Sequence, residues 1–87
     1  MKLEIDIYTD QINFAVLKLP ERNFPGVLFQ GDSLAILERR ISKAISLIKR
    51  GEVKEALEWL ELCRDELSET KDFYVKTIIA NGFGVPF

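Results

Sequence analysis

The chain has 87 residues, nearly half of them apolar (47%), and a net charge of −2. Such a length and composition describe one folded domain with a modest core and exclude disorder. They also exclude a membrane span, since no apolar run is long enough, and an internal disulfide, since Cys63 is the only cysteine.

Residues 3–9 alternate as a strand: Leu3, Ile5 and Ile7 on one face, Glu4, Asp6 and Tyr8 on the other. That pattern predicts a buried apolar face and a wet one. The acids in this opening stretch are foreign to a signal peptide, and with one cysteine they lead us to expect a cytoplasmic protein. Thr9-Asp10-Gln11 suits a tight reversal. Residues 12–19 form a second strand with Ile12, Phe14 and Val16 on one side and Ala15, Leu17 and Leu19 on the other. Being apolar on both faces, it belongs in the middle of a sheet.

Pro20 ends that strand, and Glu21-Arg22-Asn23 connects onward to Phe24-Pro25-Gly26. Pro25-Gly26 predicts a corner in which Gly26 takes positive φ. Residues 27–30 then read as the third strand of a meander. Gly31 is expected to release the backbone at positive φ, and Asp32 or Ser33 to cap the following helix. Pro25, Gly26, Gly31, Asp32 and Ser33 thus form a structural box. Gly31-Asp32-Ser33-Leu34 also spells the serine-esterase motif. The chain has no histidine to take a serine proton, so a strand–helix junction is the better account.

Helix one is expected over residues 32–50, with Leu34, Leu37, Ile41, Ile45 and Ile48 as its buried stripe and Gly51 as its stop. Helix two is expected over 52–81, with Val53, Ala56, Leu57, Leu60, Cys63 and Leu67 as its stripe and Asn81-Gly82 as its stop. Its weak point is the polar patch 68–72, where Thr70 takes a place the stripe would make apolar. Unbroken, this helix would be about 45 Å long against roughly 27 Å for the first. An apolar overhang of that kind calls for a cover, and so for self-association. The short link at Gly51 predicts an antiparallel hairpin. Residues 32–50 hold five bases against two acids, and residues 52–72 hold eight acids against three bases. The tail, residues 82–87, brings Phe83 and Phe87, which we expect to be docked.

A strand, a strand ending in Leu19-Pro20, then Pro25-Gly26-Val27, Gly31-Asp32-Ser33-Leu34 and a helix resembles the antitoxin half of the HicAB toxin–antitoxin systems, over about residues 3–48. The resemblance implies a HicB-like partial ribonuclease H-type core whose third strand follows a Pro-Gly turn. The fuller string, Arg22-x-Phe24-Pro25-Gly26-Val27-x-x-Gln30-Gly31-Asp32-Ser33-Leu34 with Gly84-Val85-Pro86-Phe87 at the end, is similar to a family of small bacterial proteins of unknown function and is the closer match. After residue 50 the chain departs from HicB-type antitoxins, having acidic helix where they have a strand and a DNA-binding segment. Autoregulatory DNA binding is therefore not implied. Asp6 and Asp10 are the only strand-borne aspartates, short of the acidic cluster a working ribonuclease H needs.

Together these readings predict an α+β domain over 1–87: a three-stranded antiparallel meander followed by a helical hairpin packed on the sheet, β-β-β-α-α. Cys63 lies on an apolar stripe and is expected to be a buried structural cysteine. The acids of residues 52–72 are spaced as a helix surface, not as a converging pair. No catalytic, cofactor or metal residues are assigned, no cofactor is expected, and an enzyme is disfavoured. The expected function is a non-enzymatic protein–protein binding module of antitoxin or immunity type, with Tyr8, Trp59, Phe83 and Phe87 as candidate contacts. A small homo-oligomeric structural or ligand-binding protein is the second reading. Expected partners are a second copy and a basic protein for the acidic segment, with nucleic acid and membrane disfavoured.

Overall fold

In chain order the computed structural model, which describes residues 4–8 and 14–87, has β1 (Asp6–Ile7), β2 (Phe14–Lys18), β3 (Gly26–Phe29), α1 (Gly31–Lys49) and α2 (Val53–Ala80). The strands form one antiparallel sheet in the order β1-β2-β3. The class is therefore α+β, a three-stranded sheet followed by two helices. β2 takes the middle place, as its two apolar faces require. The reversal expected at Thr9-Asp10-Gln11 lies outside the described residues.

Ile7 pairs with Leu17, and Val16 pairs with Val27, while the Tyr8 amide donates to the Val16 carbonyl at 2.8 Å. Because side chains alternate, Tyr8, Val16 and Val27 share one face and Ile7, Leu17 and Leu28 the other. The first strand thus faces opposite to expectation. Tyr8 packs on the buried cluster of Val16, Tyr74 and Ile78, while Ile5 and Ile7 are exposed. The cause is parity: α2 covers the Val16 face, and whatever stands level with Val16 goes inward.

The corner between β2 and β3 also differs from expectation. The Arg22 amide donates to the Leu19 carbonyl at 3.1 Å, which puts Pro20 at the second position of a turn, where its fixed φ fits. Gly26 has no positive φ; it opens β3 opposite Leu17. Pro25 is buried, and its carbonyl accepts the Tyr74 hydroxyl at 2.6 Å. Gly31 likewise lacks positive φ and is the first residue of α1. Asp32 and Ser33 therefore sit inside the first turn and do not cap it. The Asp32 carboxylate accepts the Ser33 amide at 2.8 Å and places its charge at the positive end of the helix dipole.

Gly51 ends α1 at φ +79, where the Glu52 amide donates to the Leu47 carbonyl and the Gly51 amide to the Ile48 carbonyl. This double closure is the Schellman motif, and it needs a residue that tolerates positive φ. Gly82 ends α2 in the same way, at φ +87, with the Phe83 amide on the Ile78 carbonyl. The 28 residues of α2 run without interruption through 68–72. Thr70 is buried there, and among the described residues no buried side-chain nitrogen or oxygen lacks a partner.

Two units build their cores separately: residues 1–30 with 70–87, and residues 31–69. In the first, Val16, Tyr74 and Ile78 are buried, with Val27, Val75, Tyr8 and Phe83 against them. The sequence predicts a whole hairpin over the sheet; the side chains that bury Val16 come from the last turns of α2. In the second, Ala44 and Leu47 of α1 meet Ala56 of α2, with Trp59 at the edge.

Gly51→Ala is expected to cost about 1–2 kcal/mol, because positive φ strains any side chain although a Cβ there would touch nothing. Gly31→Ala is expected to be neutral or to stabilise by up to ~1 kcal/mol, since its φ is ordinary and the position is helical. Urea denaturation of both variants checks this, and a larger loss at Gly31 than at Gly51 contradicts it.

Candidate functional site

Within residues 31–69 each helix buries one apolar line and leaves a second in solvent. On α1 the buried line is Ala44 and Leu47. The stripe expected to be its inner face is instead open: Leu34, Ile41, Ile45 and Ile48 are between 37% and 56% exposed, and Leu37 is half-buried. On α2 the buried residues are Ala56 and Cys63, while Val53, Leu57, Leu60 and Leu67 are between 37% and 60% exposed. Ala44 and Leu47 make the contact with Ala56, and the larger aliphatic side chains stand on its flank.

At ~100° per residue, each open stripe lies about a quarter turn ahead of its buried line in the direction of winding. The helices are antiparallel: Arg40 pairs with Glu66, Lys43 lies over Trp59, and Leu47 meets Ala56. Seen from one end, antiparallel helices wind in opposite senses. The same displacement on both therefore brings the two stripes to the same side of the hairpin. The opposite side carries the Arg40–Glu66 ion pair, Lys43 with its ammonium 5.0 Å from the Trp59 ring centre, and the exposed Ile36 and Leu62.

The candidate contact residues are dispersed. Tyr8 and Phe83 meet edge to face at 5.8 Å, both half-buried on the Val16 cluster. Phe87 stacks on Tyr74 at 6.4 Å yet is 74% exposed. Trp59 is half-buried at the edge of the hairpin core under the Lys43 ammonium. None of the four belongs to the open apolar side. That side was missed because its residues read as core; the available signal was that each helix carries more aliphatic residues than one line of contact can bury.

In the sheet unit, Leu17, Leu19, Arg22, Phe24, Gly26, Val27 and Leu28 line an open groove of about 300 Å³. Among the described residues no three of His, Cys, Asp and Glu are placed to hold a metal ion, and no helix is long and apolar enough to cross a membrane. Asp6 is exposed and Cys63 is a buried free thiol.

The chain belongs to a family of unknown function (DUF6959), whose family model matches residues 1–87. No curated protein and no solved structure matches it. The family match takes in the sheet and both helices, so it extends beyond the N-terminal half that carries the box at residues 25–33.

Tyr74 links the box to α2. Burial raises its hydroxyl above the ordinary value of 10.0, and the neutral hydroxyl donates to Pro25. The folded state thus holds this proton more tightly than the unfolded state. The stabilisation is complete below about pH 10 and is lost as pH climbs through the raised value. Tyr74→Phe is expected to cost about 1–2 kcal/mol at neutral pH, because the buried Pro25 carbonyl loses its donor. The variant is also expected to lose less stability than the parent between about pH 9 and 11. Parallel urea-midpoint curves for the two proteins over that range contradict this role.

Proposed function

We propose that the chain is a non-enzymatic protein–protein binding module of antitoxin or immunity type, with its contact surfaces on the α1–α2 hairpin. The observation that carries this reading is the open side of the hairpin, where eight aliphatic residues of two helices stand more than a third exposed on one surface. Surfaces of this kind ordinarily mark interaction sites. Charge supplies the partner class. The eight acids against three bases of residues 52–72 complement a basic protein and would steer its approach. The resemblance of the N-terminal half to HicB-type antitoxins supports the same reading, without the DNA-binding segment. The groove beside Arg22 favours the second reading, a small homo-oligomeric ligand-binding protein, since an apolar cleft with one guanidinium suits a small apolar acid.

Affinity capture from the native host at endogenous level, read by mass spectrometry and rebuilt from purified components, tests the first reading. A small basic protein whose activity the chain blocks is expected. Glu58→Lys with Glu61→Lys is expected to weaken that complex about tenfold at low salt. Recovery of the chain without any other protein contradicts the antitoxin and immunity reading.

A further inference from the structure

We infer that the open apolar side of the hairpin is covered by a second copy of this chain, α1 of each copy lying against α2 of the other in a four-helix bundle. The inference rests on reading the hairpin as a contact module, and it names the occupant. Three observations carry it.

The first is area. Leu34, Ile41, Ile45, Ile48, Val53, Leu57, Leu60 and Leu67 together expose on the order of 600 Å², at the upper end of the largest apolar patch on a typical monomer and near the ~800 Å² that each partner gives a standard interface.

The second is length. The stripe of α1 runs from Leu34 to Ile48 and that of α2 from Val53 to Leu67, each about 21 Å at ~1.5 Å per residue. The surface is as long on one helix as on the other, so a turned copy of itself matches it along its whole extent.

The third is charge, and it selects the arrangement. Residues 32–50 are net basic and residues 52–72 net acidic, and within one hairpin the two already meet at Arg40 and Glu66. Rotating a second copy about an axis parallel to the helices sets α1 beside the partner's α2, running antiparallel to it. Every neighbouring pair in the bundle is then one basic and one acidic helix. Rotation about an axis across the helices would set acidic α2 against acidic α2. The favoured arrangement brings both Gly51 turns to one end of the bundle. It also leaves the acidic outer surface of α2 free for a basic partner.

Sedimentation equilibrium of the full chain is expected to give a dimer. Ile45→Asp and Leu57→Asp are each expected to raise its dissociation constant at least about a hundredfold with helicity retained. Ile36→Asp, on the other side of the hairpin, and Leu28→Asp, on the open face of the sheet, are expected to leave it unchanged. A monomer at all concentrations, or a dimer that survives Ile45→Asp and Leu57→Asp, overturns the inference. So does a dimer lost with Leu28→Asp, because the sheet is then part of the interface. Should the Asp variants lose helicity, distances between spin labels at Arg50→Cys in a Cys63→Ala background decide. About 20 Å supports turns at one end, and about 30 Å or more overturns the arrangement. A monomeric chain that still binds a basic protein overturns this inference and leaves the binding-module reading standing. A dimer without any other partner does the reverse for the antitoxin type.

Discussion

Gly51 holds a left-handed conformation that closes α1 with two hydrogen bonds, Glu52 to Leu47 and Gly51 to Ile48, and α2 starts at Val53. With only Arg50, Gly51 and Glu52 outside both helices, α2 turns back along α1 as an αα-hairpin. The antiparallel pairing of Ala44 and Leu47 with Ala56 follows. So does the placement of both aliphatic stripes on one side, which depends on opposite winding and would fail for a parallel pair. At the other end of α2, Gly82 repeats the device and returns Phe83 onto Ile78 and the Val16 cluster.

The hairpin is over-supplied with aliphatic side chains for a two-helix contact. The contact through Ala44, Leu47 and Ala56 buries only a narrow line of each helix. The larger residues stand beside that line. A helix pair of this kind gains when a further pair covers it, for the same reason that bundles of four are common. The sheet unit has the same economy: one face of β2 is sealed by Tyr74 and Ile78, while Ile7 and Leu28 on the other face stay about half exposed.

Element order, the middle strand and both glycine stops are legible in the sequence because local chemistry sets each of them. Positive φ at Gly51 and Gly82 follows from neighbours a few residues away, and β2 is central because its own residues are apolar on both sides. What was not legible is what distant residues decide. Periodicity finds the stronger stripe of α1, Leu34 to Ile48, but the residues that meet Ala56 of α2 are Ala44 and Leu47, a choice that the pattern of α1 alone does not contain. Ile5 and Ile7 predict one parity for β1, whereas α2 covers the face on which Tyr8 stands. Pro25-Gly26 reads as a corner until Pro20 is seen to have made one already; the Pro25 carbonyl is then free to receive Tyr74, forty-nine positions later. The candidate contacts Tyr8, Phe83 and Trp59 are each half-buried on their own unit's core. The open side of the hairpin is built from residues that any sequence pattern assigns to an interior.

Residue-level carbene footprinting of the intact chain across a dilution series measures most directly whether that open side is a contact surface. Labelling at Leu34, Ile45, Leu57 and Leu60 is expected to fall as concentration rises, while labelling at Ile36 and Leu62 on the opposite side stays constant. Equal labelling of both sides at every concentration would contradict the account.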